Sequence, residues 1–390
     1  MPIFSDTAVN LVPSIATLDA AQWDACANPN PSTFNPFISH AFLKALEDSR
    51  TVGRQTGWLP RHLVINDDAG GIAAAAPAYV KSHSQGEYVF DHGWADAYER
   101  AGGRYYPKLQ IAVPFTPVPG PRLLVKPGDT SCNGEQLLAA AVIEVARQGG
   151  LSSAHLTFLD SSVAARLKEF GFLTRVGQQF HWQNHGYATF DDFLATLASR
   201  KRKAVKKERQ TALEAGIEIE QISDSAITES HWDAMFTFYM DTGNRKWGRP
   251  YLNRTFFSLL GETMADRCLL VFAKREGKYI AGALNLIGGD CLYGRYWGAV
   301  EHHPALHFEV CYYQAIDYAI ANKLPRVEAG AQGEHKLARG YLPVETYSAH
   351  WIADPSLRRA IERFLVEERQ AVAQMNDDLT EMGPYRKDEA

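Results

Sequence analysis

The stretch LLVFAKREGKYIAGALNLI, residues 269–287, has the pattern of two β-strands joined by a polar turn. Runs of large apolar residues flank a short charged segment that contains glycine, which is typical of a β-hairpin. An earlier stretch, HLVINDDAGGIAAAAPAYV at 62–80, has the same order of strand, glycine-containing turn and strand. Both stretches therefore predict hairpins, one in each half of the chain.

A second pair of similar stretches follows the two predicted hairpins. VIEVARQGGLSSAHLTF at 142–158 and AIDYAIANKLPRVEAG at 315–330 each predict the end of an amphipathic helix, a short break and a strand. Chance is one explanation for so weak a similarity. The matching order of elements in both halves favours the other explanation, a duplicated α/β unit.

The first half is longer than the second between its hairpin and its helix. Leu63 aligns with Leu270 at an offset of 207 residues, and Ile143 aligns with Ile316 at an offset of 173, so the difference is 34 residues. These extra residues must lie within 81–120. The segment is rich in tyrosine and proline, and rigid extended chain suits the wall of a substrate cleft. A packed cover over the first half is the alternative. The candidate substrate contacts here are Tyr105, Lys108 and Phe115.

The second half predicts a complete α/β domain with a mixed, largely antiparallel sheet flanked by helices. An antiparallel meander, a helix and two further strands are expected in turn at about 269–274, 278–287, 291–299, 306–323, 326–330 and 346–352. Asp354 and Pro355 form a good N-cap and N1 pair, so the last helix is predicted to begin there.

Length and composition describe a globular protein. A chain of 390 residues suits two domains, and its 46% hydrophobic and 22% charged residues exclude a disordered protein. No apolar run is long enough to cross a bilayer, and the first residues lack the pattern of a signal peptide. The five cysteines form no C-x-x-C pair, so neither a disulfide framework nor a zinc ribbon is indicated. We therefore expect a cytoplasmic protein without a transmembrane segment.

The most basic part of the chain is SRKRKAVKKERQ, residues 199–210, in which seven of twelve residues are Lys or Arg. Thr189 and Asp192 have the spacing of a capping box, and Gly216 is a suitable residue after a helix end. These signals predict one basic linker helix over 190–215.

The basic residues of this helix fall on two flanks of its apolar face. Like charges at this spacing weaken a helix, which favours an anion site, and phosphate is the anion that such a cluster binds best. The candidate phosphate or RNA contacts are Arg200, Arg202, Lys203, Lys206, Lys207 and Arg209. Lys201 and Glu208 are expected on the packed face. A solvated helix is the alternative, and the acidic net charge of −5 argues against a DNA-binding protein.

The loop EAGAQGEHKLARGY, residues 328–341, carries the strongest candidates for catalysis. It follows a predicted strand, its glycines permit a tight path, and it places acids beside bases. Amide formation requires a base for the amine proton and donors for the developing oxyanion. Glu328 or Glu334 could be that base, and Lys336, Arg339 or a loop N–H could stabilise the charge. A structural loop held by ion pairs is the alternative.

Further substrate contacts are expected in and beside this loop. The candidates are Gln332, His335 and Arg339 in the loop and Tyr296 in GRYWG, residues 294–298. A buried aromatic is the alternative for Tyr296. The stretch HSQGEYVFDHGW lacks the spacing of metal ligands. In EHHPALHFE, His303 and His307 are four residues apart but Pro304 lies between them, so no metal site is predicted.

Five stretches resemble the FemAB-like predicted N-acyltransferases of peptidoglycan biosynthesis and recognition, which are related to the FemABX aminoacyltransferases. They are HSQGEYVFDHGWA (83–95), YYPKLQIAVPFTPVPGPRLL (105–124), GRYWG (294–298), HFEVCYYQAIDYAI (307–320) and EAGAQGEHKLARGY (328–341). The resemblance implies tandem GNAT-like domains, an aminoacyl-tRNA as donor and a cleft bordered by Lys336. An acyl-CoA donor is less favoured, because the stretch AVEHHPALHF at 299–308 lacks the glycines that cradle pyrophosphate in GNAT enzymes.

Together these patterns predict two GNAT-like domains, 1–185 with the insertion 81–120 and 186–390 opened by the linker helix. The expected activity is transfer of an acyl or aminoacyl group to an amine of a small molecule or muropeptide, with tRNA as a possible partner. Two alternatives stay open: an acyl-CoA-dependent N-acetyltransferase, and a non-catalytic protein that recognises cell-wall precursor or RNA.

Overall fold

The structure is a computed structural model that describes residues 8–128, 133–246, 250–330 and 333–386. These residues separate into two compact units. Unit 1 takes the described residues of Met1–Pro31, Phe37–Gly177 and Glu345–Gln374, and unit 2 takes those of Ser32–Pro36, Gln178–Val344 and Met375–Ala390.

The strands of the described residues are β1 (Val9–Val12), β2 (Trp58–Pro60), β3 (His62–Asn66), β4 (Ile72–Ala76), β5 (Ala78–Lys81), β6 (Lys108–Ile111), β7 (Leu124–Val125), β8 (Ser153–Leu159), β9 (Leu173–Gln183), β10 (Glu218–Ser223), β11 (Cys268–Arg275), β12 (Lys278–Ile287), β13 (Cys291–Ala299), β14 (Arg326–Glu328) and β15 (Leu342–Ile352).

The α-helices are α1 (Ala20–Ala27), α2 (His40–Asp48), α3 (His92–Arg100), α4 (Gly134–Gln148), α5 (Ser161–Leu167), α6 (Phe190–Thr196), α7 (Ser199–Ala212), α8 (Glu229–Lys246), α9 (Arg254–Met264), α10 (Leu306–Phe308), α11 (Gln314–Ala321) and α12 (Pro355–Glu381). A π-helical turn, Glu309–Tyr313, joins α10 to α11, and a 3-10 helix spans Glu334–Arg339.

Unit 1 contains two sheets. One has the order β1-β3-β4-β7, and the other runs β15-β8-β6-β5-β2. The pairing is antiparallel except between β6 and β8, where Leu109 lies opposite Ala154 in a parallel register. The apolar face of the second sheet packs on α4 and forms a buried core with residues such as Leu138 and Val142.

Unit 2 contains one sheet with the order β10-β11-β12-β13-β14-β9. Strands β11, β12 and β13 form the predicted meander, and the helical segment α10 to α11 returns the chain so that β14 pairs parallel with β13. A parallel neighbour requires such a crossover, because a tight turn can only join antiparallel strands. Leu292 and Val327 lie on the apolar face over the core of unit 2.

The two units share one topology, which supports the predicted duplication. In unit 1, β5 pairs antiparallel with β6, a helix leads to the parallel strand β8, and β15 closes the sheet. In unit 2, β12, β13, β14 and β9 repeat that arrangement. The connection between the first two strands is 82–107 in unit 1 but only 288–290 in unit 2. The connection in unit 1 is thus 23 residues longer, and these residues are part of the 34 extra residues expected within 81–120.

The segment 81–120 is more than the insertion that we predicted. Its strand β6 pairs with β5 on one side and with β8 on the other, so it is an interior strand of the sheet. Alternating apolar residues put Leu109 and Ile111 into the core of unit 1. A surface insertion could be deleted, whereas this strand holds the sheet together.

The units differ from the predicted division at residue 185 because each sheet takes its last strand from the other half of the sequence. Residues 347–352 of β15 pair with β8 in unit 1, with Ala349 opposite Leu156. Residues 181–183 of β9 pair with β14 in unit 2. Hence β9 and β15 contribute residues to both units, and no single cut separates them.

The predicted linker helix is two helices. The capping box is present, since the Asp192 N–H donates to the Thr189 hydroxyl at 3.1 Å and the Asp192 carboxylate accepts from the Thr189 N–H at 2.9 Å. The prediction of one continuous helix is wrong, because Leu197 is extended and forms an antiparallel bridge with Tyr385. Helix α7 then begins at Ser199.

We predict that Gly298→Ala lowers the free energy of unfolding by about 1–3 kcal/mol, the usual range for overpacking. A Cβ at Gly298 in β13 would lie 1.8 Å from the carbonyl oxygen of Phe238 in α8, so helix and strand would have to separate. The matched control is Gly93→Ala in α3, where a Cβ meets no atom within 4 Å. That change should be neutral or stabilising. Equal stability losses in urea titrations of the two variants would contradict the packing described here.

Candidate functional site

Glu328 occupies the last paired position of β14, opposite Tyr293 of β13 and His181 of β9. Its side chain is buried, and neither carboxylate oxygen has a hydrogen-bond partner among the described residues. The nearest charges are Arg326 Nε, 3.6 Å from Oε1, and His181 Nε2, 3.9 Å from Oε2. Burial raises the pKa of Glu328 to about 7, and the Arg326 charge opposes that rise only in part.

The sheet opens directly beyond Glu328. Pairing between β13 and β14 ends at Tyr293 and Glu328, and the next residues of β13, 294–297, change from buried to half-buried. On the other side of β13, Gly294 lies opposite Asn285 and Tyr296 lies opposite Leu284. Arg295 is therefore an extra residue in a β-bulge, which turns backbone polar groups away from the ladder.

Lys336 lies on the 3-10 helix Glu334–Arg339 and is 1% exposed. Its ammonium group donates to the Gly330 carbonyl oxygen at 2.7 Å. Burial lowers the pKa of Lys336 to about 7, and the Arg295 charge contributes to that decrease. Burial also lowers the pKa of His181 to about 3, helped by the charges of Arg326 and Lys336. A neutral histidine, an acid and an amine near neutrality thus lie around one opening in the sheet.

The other predicted residues of the loop have different environments. Arg339 is buried, donates to Glu208 at 2.8 Å and has its guanidinium group 3.3 Å from the centre of the Phe308 ring. It therefore holds the loop to α7. Glu334 is exposed, so among the predicted catalytic residues only Glu328 and Lys336 are buried, and the charge of Arg295 acts on both of them.

Two predicted substrate contacts lie at the edge of this site. His335 Nε2 and the Tyr312 hydroxyl share a hydrogen bond of 2.8 Å. Tyr296 is half-buried on the opening strand β13, with its ring 5.0 Å from that of Tyr239. Burial raises the pKa of Tyr296, so its hydroxyl keeps its proton at neutral pH. The third candidate, Gln332, lies outside the described residues.

The basic helix α7 divides into packed and exposed cations. Arg209 donates to both carboxylate oxygens of Glu309 at 2.9 and 3.1 Å and to Asp317 at 2.6 Å, so it is structural. The assignment of Arg209 to phosphate is therefore corrected, because its partners satisfy it within unit 2. Lys206 pairs with Asp191 at 2.9 Å near the surface.

The remaining candidates on α7 form its outer strip. Arg200, Lys203 and Lys207 are exposed at a spacing of three and four residues, and none of them pairs with a carboxylate among the described residues. Arg202 is half-buried on the other flank of the helix, with Lys206 and Arg209. The opposite face is packed, where Val205 is buried and Glu208 accepts from Arg339 and from the Tyr313 hydroxyl. The three exposed cations thus lie on the outer face of α7, and the packed face of α7 contacts the 3-10 helix that carries Lys336.

The predicted contacts of the segment 81–120 are buried inside unit 1. Tyr105, Lys108 and Phe115 are each at most 3% exposed, so they do not form the open wall that we expected. The Lys108 ammonium group donates to Ser84, Glu87 and Asp91 at 2.8, 2.7 and 2.5 Å. These partners, all in the connection 82–107, account for the burial of a lysine there.

This cluster belongs to a polar face of the unit 1 sheet that is buried throughout. His155 Nδ1 of β8 and His350 Nδ1 of β15 share a hydrogen bond of 2.7 Å, and the Tyr105 hydroxyl donates to Asp91 at 2.7 Å. Burial, followed by the Lys108 charge, lowers the pKa of His155 to about 3. Burial raises the pKa of Glu87 to about 7. The sequence did not predict either histidine, because only the register of β8 and β15 joins them.

Among the described residues, no group of histidines, cysteines and carboxylates has the arrangement of a metal site. None of the described helices is long and apolar enough to span a membrane.

The sequence profile of the FemAB-like family, described as peptidoglycan biosynthesis/recognition, matches residues 14–387. The chain belongs to this family. This match confirms the resemblance that the five sequence stretches indicated. Among curated proteins, none matches the chain.

Solved structures of similar fold are more distant. FemX has 13% identity to this member of the FemAB-like family, with coverage of 88% of this chain and 98% of FemX and a TM-score of 0.56. A conserved protein of unknown function from Bacteroides thetaiotaomicron has 14% identity, coverage of 88% and 100% and a TM-score of 0.51. L-PGS from Bacillus licheniformis has 10% identity, coverage of 82% and 95% and a TM-score of 0.50. These matches confirm the predicted fold class, an α/β protein with mixed, largely antiparallel sheets flanked by helices.

We predict that the stability difference between wild type and Glu328→Gln depends on pH. A carboxyl whose pKa rises from 4.5 to about 7 on folding favours the folded state below pH 4.5 and loses that advantage as pH rises through 7. Glutamine does not titrate. Between pH 4 and 8, the free energy of unfolding of the variant should therefore rise relative to that of wild type by up to about 3 kcal/mol. Parallel urea titrations at each pH measure this, and a constant difference would contradict the shifted pKa.

Proposed function

We propose that this protein is an N-acyltransferase that moves an acyl or aminoacyl group onto an amine. The observation that carries the proposal is the pair of buried groups, Glu328 and Lys336, whose pKa values both lie near 7 beside the opening between β13 and β14. A base and an acid that are each half-ionised near neutrality are suited to proton transfer at that pH. The family and its structural neighbours support a peptidoglycan-related transferase.

The proposed reaction is a direct transfer. The amine nitrogen attacks the carbonyl carbon of the donor, and a C–N bond forms as the C–O or C–S bond to the leaving group breaks. The ionised Glu328 takes the proton that leaves the nitrogen. The Lys336 ammonium group stabilises the developing oxyanion and gives a proton to the leaving group. Exchange with water returns both residues to their starting forms.

The neighbours of Glu328 support its role as the base. His181 is held neutral at 3.9 Å and cannot form a full ion pair with the carboxylate. Arg326 stabilises the ionised form without a hydrogen bond at 3.6 Å, so Glu328 keeps acceptor capacity for a substrate proton. A binding protein needs no such group, which favours catalysis over the recognition alternative.

Two observations favour an aminoacyl-tRNA donor over acyl-CoA. The exposed strip Arg200, Lys203 and Lys207 could contact RNA phosphates. A cavity of about 360 Å³ also lies where the loop after β13 meets α10, and its lining contains no lysine or arginine. The lining residues are Thr242, Trp297, Ala299, Glu301, His302, His303, Leu306 and His307. A lining that has a carboxylate and lacks lysine and arginine does not suit the pyrophosphate of coenzyme A.

The proposed acceptor is an amine of a muropeptide precursor, which fits the description of the family, and a small-molecule amine is the second possibility. Such precursors and aminoacyl-tRNA occur together in the cytoplasm, which is the location that we propose. Acyl-CoA-dependent acetylation stays the second candidate reaction, because the GNAT-like fold supports either donor.

Glu328→Gln and Lys336→Met should each lower kcat by about 10²–10⁴, the usual contribution of a general acid or base. Transfer from alanyl-tRNA to a UDP-linked muropeptide is measured by mass spectrometry, with acetyl-CoA as a second donor. The matched control is Glu334→Gln, an exposed glutamate in the same loop, which should keep full activity. Wild-type rates in both site variants would contradict the proposed roles.

The triple variant Arg200→Glu, Lys203→Glu and Lys207→Glu should weaken tRNA binding and reduce its dependence on salt. Each phosphate contact that is lost should reduce the slope of log affinity against log salt concentration by about 0.7 for a single strand. The control carries the same charge change at exposed residues elsewhere, Lys168→Glu, Lys278→Glu and Arg363→Glu. Fluorescence anisotropy of labelled tRNA measures both. Equal salt slopes for the two triple variants would show that the strip makes no phosphate contacts and is only solvated.

A further inference from the structure

The 3-10 helix that carries Lys336 ends at a constrained glycine. Gly340 has a φ of +93°, which L-residues with a side chain rarely adopt, and its amide N–H donates to the Leu337 carbonyl oxygen at 3.1 Å. A Cβ at Gly340 would lie 2.7 Å from the ring of Phe193. The end of the helix is therefore pressed against α6.

Tyr385 also contacts this end of the helix. Its hydroxyl donates to the Gly340 carbonyl oxygen at 2.7 Å, and its ring packs at the edge of the unit 2 core. Burial raises the pKa of Tyr385, so the hydroxyl stays a hydrogen-bond donor throughout the neutral range. The carbonyl that it binds belongs to the residue that ends the Lys336 helix.

Backbone hydrogen bonds fix the segment around Tyr385. The Ala198 N–H donates to the Pro384 carbonyl oxygen at 2.9 Å, and the Arg386 N–H donates to the Thr196 carbonyl oxygen at 2.9 Å. Leu197 and Tyr385 face each other in an antiparallel bridge. Residues 384–386 thus bind the extended residues around Leu197 that separate α6 from α7.

We propose that residues 384–386, the C-terminal strap, position Lys336 for proton transfer, and that Tyr385 is the positioning residue. The strap contacts two parts of unit 2 directly, the break before α7 and the end of the 3-10 helix. Helix α7 in turn carries Glu208, which binds Arg339 of the 3-10 helix. With Arg339 and Gly340 both held, the Lys336 side chain keeps its bond to Gly330 inside the protein. This inference rests on the proposed role of Lys336.

The test measures Lys336 without a substrate. Competitive labelling with acetic anhydride across pH 5–11, followed by mass spectrometry, gives the pKa and reactivity of that amine. Wild type should titrate near 7. Tyr385→Phe should move the midpoint upward by at least about one pH unit toward the ordinary lysine value of about 10.4, because water reaches a loosened side chain. Removal of residues 384–390 should have a larger effect.

Tyr347→Phe is the matched control, because the Tyr347 hydroxyl donates to the exposed Glu345 in unit 1 and touches nothing in the strap. Its Lys336 midpoint should equal that of wild type. In the transfer assay, Tyr385→Phe should lower kcat by about ten- to a hundredfold with KM nearly unchanged, as expected for a misplaced group. Tyr385→Phe keeps the ring, so it should fold even if the truncated chain does not.

An unchanged Lys336 midpoint in Tyr385→Phe would overturn the positioning role. A shifted midpoint together with full activity of Lys336→Met would instead leave the strap in place and remove the proposed function. The two failures are therefore distinguishable.

Discussion

The burial of the Glu328 carboxyl group is the constraint on which the rest of the site depends. A carboxylate that loses water without gaining hydrogen bonds is costly, so the group is protonated over much of the neutral range unless nearby charge supports it. Arg326 at 3.6 Å supplies part of that support, and the neutral His181 supplies none. The register of β14 places this group at the last pair before β13 and β14 separate.

Lys336, the other residue of the proposed site, is held in place by helices rather than by strands. Lys336 is buried on a 3-10 helix that Arg339 joins to Glu208 of α7. The same α7 presents Arg200, Lys203 and Lys207 on its outer face. One helix therefore supports the proposed acid and also carries the cations that are proposed to contact phosphate. This explains why Glu208, the one acidic residue in the basic segment, lies on its packed face.

Local patterns predicted much of this structure, and long-range pairing decided the rest. Hairpin composition, the capping box at Thr189 and the glycines after β14 act over a few residues, so the meander, the helix start and the charged loop could be inferred. The exchange of β9 and β15 between the units could not, because the partners of each strand lie far away in the chain. Arg209 was misassigned for the same reason, since Glu309 and Asp317 are distant in sequence. His181 lies in no motif, and within GRYWG only Tyr296 was chosen as a candidate. Both His181 and Arg295 were missed because only the sheet register and the bulge place them near Glu328.

The central claim is that Glu328 is a base poised near neutral pH. It is tested most directly by NMR titration of the Glu328 carboxyl carbon in protein labelled with ¹³C at the glutamate Cδ, with Glu328→Gln used to assign the resonance. The account predicts a titration midpoint of about 7. A midpoint near 4.5, the ordinary value for glutamate, would show that water or a charge partner fully compensates the carboxylate. That result would contradict the role of Glu328 as the base.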